Sequence, residues 1–157
     1  LRSMNRKYTT KEYLEKIDLI RKYDKNASIT TDIIVGYPTE TEENFNETLE
    51  FVKKVKFSDI HIFPFSQRIG TVAEKLALLP KEVVSLRKEK LTIEKFRLHK
   101  EYLLCNINIL QNVIFEEKVG EYNVGYSERY IRIYSKSKSD FEAVLPKELY
   151  KDGLKGD

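Results

Sequence analysis

The stretch from Ser28 to Ser66, "SITTDIIVGYPTETEENFNETLEFVKKVKFSDIHIFPFS", limits the fold more than any other part of the chain. A β-branched run stops at Gly36 and Pro38, an acidic segment with an apolar stripe follows, and a second apolar run ends near Pro64. The two apolar runs are short enough to be buried strands, and a proline is tolerated only at a strand's end. Between them, Thr39 or Thr41 can cap a helix whose glutamates favour the positive end of its dipole, with Phe45, Leu49, Val52 and Val55 on one face. Strand, capped helix, strand is a βαβ unit, so the two strands are expected to be parallel and the crossover right-handed.

Upstream, Thr9 with Glu12 three residues on marks a helix start, and Tyr13, Ile17 and Ile20 form its apolar stripe until the pattern stops near Asp24 to Asn26. Downstream, "SQRIGTVAEKLALLP" reads as a loop with at most one helical turn. Pro80 then opens a long charged helix from Lys81 to Cys105, with Leu86, Ile93, Phe96, Leu103 and Ile107 expected on its packed side. Near residue 110 the grammar changes. "LQNVIFEEK", "EYNVGYS", "RYIRIYS" and "FEAVL" are short β-branched and aromatic runs separated by Gly, Asn, Ser and Asp, as in an antiparallel sheet or small barrel. The expected organisation is an α/β portion over 1–109 and a small β domain over 110–157, the second of marginal size for folding alone.

Composition excludes several classes. With 41% hydrophobic and 34% charged residues among 157, the chain is neither disordered nor membrane-spanning, and its first residues, "LRSMNRKYTT", lack the apolar core of a signal peptide. A cytoplasmic location is the expectation. The one cysteine, Cys105, allows no internal disulfide and no cysteine-only metal or cluster site, and in its apolar setting it reads as a small buried hydrophobe. His61 and His99 stand in unrelated contexts, which disfavours a zinc site. The chain opens on Leu1 rather than Met, as a segment of a longer protein would. The net charge of +3 does not by itself mark a nucleic-acid binder.

Two stretches carry candidate chemistry. At "VGYPTET" a strand ending in Gly36 feeds a capped helix, which places backbone N–H groups at the carboxyl edge of the sheet, where parallel α/β folds bind ligands. By itself the loop is better explained as a tight turn. It is not a phosphate loop, for it lacks the second glycine and the Lys-Ser or Lys-Thr pair, and the glutamates that follow would repel phosphate. In "SERYIRIYSK" a period of two puts Tyr130, Arg132 and Tyr134 on one strand face and Ile131 and Ile133 on the other. Aromatics beside an arginine suit single-stranded RNA, although an ordinary half-exposed strand explains the same pattern.

Taken together, "LRSMNRKYT", "TTDIIVGYPTETEENFNETLEFV", "HIFPFSQRIGT" and "GYSERYIRI" resemble, in order and spacing, the C-terminal half of the tRNA methylthiotransferases, which are radical S-adenosylmethionine enzymes. The likeness covers essentially the whole chain. "MNRKYT" and "YSERYIRI" are most similar to the branch that methylthiolates N6-threonylcarbamoyladenosine at position 37 of tRNA. The resemblance implies the C-terminal part of a partial parallel (β/α) barrel followed by an antiparallel TRAM-like domain that binds RNA.

It also implies roles for residues. Asp32, Val35 and Gly36 would help hold S-adenosylmethionine, Phe65 would reach the same edge, and Arg6 would contact the cofactor carboxylate, a surface arginine before a helix being an equal explanation. Arg68 and Thr71 in "SQRIGT" would face the active-site mouth, in a loop where Ile69 replaces the family's proline; Thr39 likewise replaces a usual glycine. Tyr130, Arg132 and Tyr134 would meet the anticodon loop. Such enzymes need a Cys-x-x-x-Cys-x-x-Cys loop and three further cysteines for two 4Fe-4S clusters, and none of these motifs is present. The chain is therefore expected to be inactive alone and to depend on the missing N-terminal part of its parent. The alternative is a free-standing α/β RNA-binding module without radical chemistry. An interrupted parallel sheet would also favour self-association through its open edge.

Overall fold

The computed structural model describes residues 1–157 and divides them into two compact units, one of residues 1–23 and 29–99, the other of 24–28 and 100–157. The expected boundary near residue 110 falls ten residues inside the second unit.

In the first unit, helix α1 (Thr10–Tyr23) begins where Thr9 and Glu12 cap reciprocally: the Glu12 N–H donates to Thr9 Oγ1 at 3.2 Å, and the Thr9 N–H to Glu12 Oε2 at 2.7 Å. Strand β1 (Thr30–Val35) pairs in parallel with β2 (Asp59–Pro64), Asp32 opposite His61 and Ile34 opposite Phe63. Between them lies α2 (Glu42–Val55), capped by Thr41 rather than Thr39, with Asn44 returning the second bond of the box and Lys56 in the left-handed conformation at its end. The two strands are parallel as predicted, with Pro64 closing the second.

Two expectations about burial do not hold. Buried strands are expected here, yet only one face is covered: Val35 and Ile60 are fully buried, while Asp32, Ile34, His61 and Phe63 are exposed. The core against that covered face is built from Ile17, Phe45, Val52, Val55, Phe57, Leu91 and Leu98. Burying side chains of this size stabilises by about 1.5–3 kcal/mol each. Ile20, expected in the core with Tyr13 and Ile17, is exposed, and Tyr13 is half-buried.

Helix α3 (Lys81–Cys105) has the predicted bounds, and Leu103 is buried as expected, but up to Leu98 a different face is packed. Leu86, Ile93 and Phe96 are 52, 65 and 64% exposed, whereas Arg87, Leu91, Glu94 and Leu98 are buried. Those four follow the i, i+4, i+7, i+11 stripe of a packed helix face. Two of its members are charged, and each has its countercharge in place: Arg87 has Glu40 and Glu42 through its two Nη atoms, and Glu94 has Arg97 one turn on. His99 Nδ1 meets the Ser58 carbonyl at 2.8 Å, fastening the helix beside the start of β2.

The second unit is a six-stranded sheet of β3 (Gln111–Val119), β4 (Tyr122–Ser127), β5 (Arg132–Ser135), β6 (Phe141–Val144), β7 (Pro146–Tyr150) and β8 (Gly153–Gly156). The spatial order is β6-β3-β4-β5-β8-β7, antiparallel throughout except that β5 and β8 run parallel. The first four strands match the four predicted runs. Strands β7 and β8 lie outside the predicted runs. Val113, Phe115, Ile131, Ile133, Val144 and Leu154 form the core with Leu103 of α3, and Tyr102 and Ile107 pack against it. Arg129 clips the 24–28 segment to this unit through Asp24 Oδ2 at 2.9 Å and the Asn26 carbonyl at 2.8 Å. Cys105, expected to be buried, is exposed.

Candidate functional sites

The carboxyl ends of β1 and β2 gather several of the residues singled out from sequence. The Phe65 N–H donates to the Val35 carbonyl at 2.8 Å, carrying the parallel pairing one residue past β2. Tyr37 packs edge-on to Phe65, ring centres 5.2 Å apart, and its hydroxyl donates to the Ser3 carbonyl at 3.1 Å. That bond brings the N-terminal segment to this edge. Arg6, three residues on, is exposed, and its backbone N–H closes a turn onto the Leu1 carbonyl at 2.9 Å.

Gly36 is explained by its own surroundings. Its φ of +76° favours glycine, and a Cβ there would stand 2.6 Å from Val84 Cγ2 of α3. Its N–H, the donor that the sequence offers to a ligand, is taken by Glu40 Oε2 at 3.0 Å. The close approach that Gly36 permits is therefore made by α3. Arg87 completes the latch: Nη1 donates to Glu40 Oε2 at 2.6 Å and to the Glu40 carbonyl at 3.0 Å, and Nη2 to Glu42 Oε2 at 3.2 Å. Arg87 also lies 5.5 Å over the Phe45 ring. The loop is thereby held from α3 rather than left free after the strand.

Asp32 sits apart from that edge, on the uncovered face. The His61 ring lies 3.4 Å from Asp32 and 3.4 Å from Asp59, with the apolar pair Ile34 and Phe63 one step further along the strands. Burial alone would raise the Asp59 carboxyl, but hydrogen bonds from Lys95 and the Ile60 N–H outweigh it and hold the group below its ordinary value. Parallel strands are normally covered on both faces, so a face with a carboxylate–imidazole pair beside an apolar shelf is suited to a ligand of mixed character. Arg68 and Thr71 lie in an exposed loop folded on itself, with Thr71 Oγ1 donating to the Arg68 carbonyl at 2.8 Å and the Gly70 N–H to Glu74 Oε2 at 2.7 Å.

In the second unit, Tyr130, Arg132 and Tyr134 do not form one open strand face. Tyr130 precedes β5 in a turn, with φ +55°, its N–H on the Ser127 carbonyl, and its side chain 80% exposed. Arg132 and Tyr134 do share the sheet's outer face, but both are occupied. Arg132 is held by Glu117 and by Asp152 at 2.8 Å. Tyr134 is 2% exposed and donates to Asp152 Oδ1 at 2.5 Å. Burial first, then the bond to the negative Asp152, push the Tyr134 phenol up to about 12.

The exposed aromatic surface lies elsewhere on that face. Strand pairing sets Phe141 beside Ile114, Ile114 beside Tyr126, and Tyr126 beside Arg132. Next to this row, Tyr122, Tyr134 and Tyr150 pack with ring centres 5.0 to 6.4 Å apart. Lys136, Lys151 and Lys155 lie 5.3 to 5.9 Å over their rings. Alternation in "YNVGY" signals Tyr122 and Tyr126; the rest depends on register.

The site residues fit the two implied cofactors differently. An apolar shelf beside hydrogen-bonding side chains is compatible with an adenosyl group. An iron–sulfur cluster does not fit: there is one cysteine, and no group of three His, Cys, Asp or Glu residues is placed to hold a metal ion. No helix is long and apolar enough to cross a membrane.

The profile of the Radical SAM superfamily matches residues 1–52. A threonylcarbamoyladenosine tRNA methylthiotransferase of Bacillus subtilis is 35% identical over 94% of this chain and 34% of its own length. The protein of the same name from Thermotoga maritima is 35% identical over 98% of this chain and 36% of its own. A tRNA-2-methylthio-N(6)-dimethylallyladenosine synthase of Corynebacterium glutamicum is 49% identical over 59% of this chain and 18% of its own. The chain thus belongs to the radical S-adenosylmethionine family of tRNA methylthiotransferases, and it spans about a third of the length of the first two relatives.

Proposed function

We propose that the chain is the C-terminal portion of an enzyme that adds a methylthio group to carbon 2 of N6-threonylcarbamoyladenosine at position 37 of tRNA. What supports this substrate over a dimethylallyl adenosine is the extent of the likeness. The two threonylcarbamoyladenosine enzymes match 94 and 98% of the chain, through both units, while the dimethylallyladenosine synthases match 48 to 75% of it.

In this reading residues 1–109 form the closing part of the barrel and 110–157 the RNA-binding module. S-adenosylmethionine, when bound, supplies the carbon radical that activates the adenine ring and the methyl group. This chain contributes one wall of that site. Ile34 and Phe63 offer apolar surface, Val35, fully buried on the covered face, only supports the strand behind them, Phe65 and Tyr37 close the strand edge, and Asp32 with His61 presents a hydrogen-bonding pair. Arg6, reached through the Tyr37–Ser3 bond, supplies a cation for the cofactor carboxylate, and Arg68 and Thr71 line the mouth toward tRNA. Gly36 acts indirectly, by letting α3 latch the loop.

The cysteines for two 4Fe-4S clusters belong in this reading to the N-terminal part of the parent, without which the chain is inactive. The open edge of the two-stranded parallel sheet is where that part pairs; in its absence the same edge promotes self-association. The enzyme works in the cytoplasm, where its tRNA is.

The test is the nucleoside composition of tRNA treated with the full-length parent after reconstitution with iron and sulfide. Mass spectrometry is expected to show the methylthio form of threonylcarbamoyladenosine. A methylthio group on the dimethylallyl nucleoside alone would overturn the substrate, and an unmodified position 37 would overturn the reading.

A further inference from the structure

We propose that two copies of the chain pair antiparallel along the solvent-facing side of α3, Leu86 of each packing against Phe96 of the other. The inference goes beyond the reaction and uses the apolar stripe of Leu86, Ile93 and Phe96, which neither the core nor the candidate sites take up.

The order of residues along that side selects the partner. Leu86 and Ile93 are seven residues apart and Phe96 follows three later, the alternating spacing of a helix-pairing seam, and all three are exposed on the side of α3 away from Arg87, Leu91, Glu94 and Leu98. The same spacing adds Glu82 and Glu89 toward the N-terminal end and Lys100 one turn past Phe96, all exposed. Turned about Leu91, a second copy of α3 sets Glu82 against Lys100, Leu86 against Phe96 and Glu89 against Ile93, each pair occurring twice. A parallel copy would instead face Glu82 with Glu82 and Lys100 with Lys100. Glu82, Glu89 and Lys100 form no ion pair within the chain, whereas Lys90 and Lys95, beside the seam, are bridged to Glu42 at 3.5 Å and Asp59 at 3.0 Å.

The surface is also shaped for this occupant. Glu82, Ser85, Leu86 and Glu89, joined by Lys81, line a shallow hollow. The first four stand at i, i+3, i+4 and i+7, the set that forms the hole for one side chain of a facing helix. In the antiparallel register that side chain is Phe96 of the other copy, whose positive ring edge meets the two carboxylates. The same carboxylates repel an RNA backbone. From Glu82 to Lys100 the seam runs about 27 Å, and Glu89 interrupts it, so pairing is weak and depends on protein concentration in the micromolar range.

The experiment is sedimentation velocity of the full-length parent over a concentration series; there the open sheet edge is already paired, which leaves α3 as the surface under test. The wild type is expected to shift from one copy to two as concentration rises. Phe96→Ser with Ile93→Ser should weaken pairing by about tenfold or more, and Glu82→Lys or Lys100→Glu alone by about threefold or more. Mixing the Glu82→Lys and Lys100→Glu proteins should restore it, since each supplies the charge that the other lacks. Circular dichroism confirms that each variant folds. A parent that stays monomeric, pairing unchanged by the apolar variants, or charge variants that do not rescue one another overturns the proposal. If the parent leaves position 37 unmodified while the stripe still governs pairing, the methylthiotransferase reading fails and the surface stands.

Discussion

Arg87→Met is the substitution that best tests how the β1–α2 loop is held. In the wild type the guanidinium is 5% exposed and donates to the Glu40 carboxylate at 2.6 Å, to the Glu40 carbonyl at 3.0 Å and to Glu42 at 3.2 Å. Methionine keeps most of the aliphatic volume, so the cavity term is small and the lost charge dominates. Breaking a buried pair by removing one partner costs about 3–5 kcal/mol, because the other charge is left uncompensated. The low end applies here. Glu40 keeps the Gly36 N–H at 3.0 Å, and Glu42, whose side chain is 54% exposed, returns to water. A loss near 3 kcal/mol is a little over a hundredfold in the folding equilibrium. Adding Glu40→Gln removes the orphaned charge, so the double variant should be less destabilised than the sum of the single ones by about 1–3 kcal/mol. Urea unfolding followed by circular dichroism at the helix band gives the four corners of the cycle. A loss below 1 kcal/mol for Arg87→Met, or strictly additive single effects, would refute the view that this pair fixes the loop.

Gly36→Ala should destabilise by about 1–2 kcal/mol from backbone conformation alone, plus about 1–3 from the clash with Val84. Val84→Ala should recover part of that second contribution, as urea midpoints will show, whereas full tolerance of alanine would contradict the left-handed turn. On α3, Leu91→Ala should cost about 2–5 kcal/mol, while Phe96→Ser and Ile93→Ser should stay within about 0.5 kcal/mol; the reverse order would restore the apolar stripe as the packed face. For Tyr134 the folded phenol, near 12, lies above the unfolded value of about 10. The neutral form is thus favoured by folding, and its stabilisation is complete below about pH 10 and lost as pH rises toward 12. Ultraviolet titration of the ten tyrosines should show one late step that disappears in Tyr134→Phe, and its persistence would assign the shift to another residue.

The parts of the fold that were legible in the sequence are those written in local chemistry. Thr9 with Glu12, Thr41 before a glutamate-rich turn and Pro64 at a strand end are all short-range signals, and each element they bound is present. The misread elements depend on partners far along the chain. The packed face of α3 carries Arg87, whose carboxylate partner is 47 residues away at Glu40; without that partner, Leu86, Ile93 and Phe96 are the better apolar stripe. Strands β7 and β8, "PKELY" and "GLKG", have too few apolar residues to declare themselves. They are held by pairing with each other and with β5.

The same limit decides what the candidate sites revealed. The two-residue period of β5 correctly separated Ile131 and Ile133 from Arg132 and Tyr134, but it ran one residue too far, because the left-handed turn at Tyr130 ends the alternation. Which residues share the outer face with Arg132 is set by registers and by a bulge between Phe115 and Glu117, and no local pattern encodes those. Gly36 teaches the converse. Its presence was legible and its position at the sheet edge correct, yet a positive φ and the contact with Val84 account for it fully. A glycine at the end of a parallel strand therefore carries little weight for ligand binding. The weight falls instead on the exposed pairs Asp32–His61 and Ile34–Phe63, because a parallel sheet left bare on one face must meet something there.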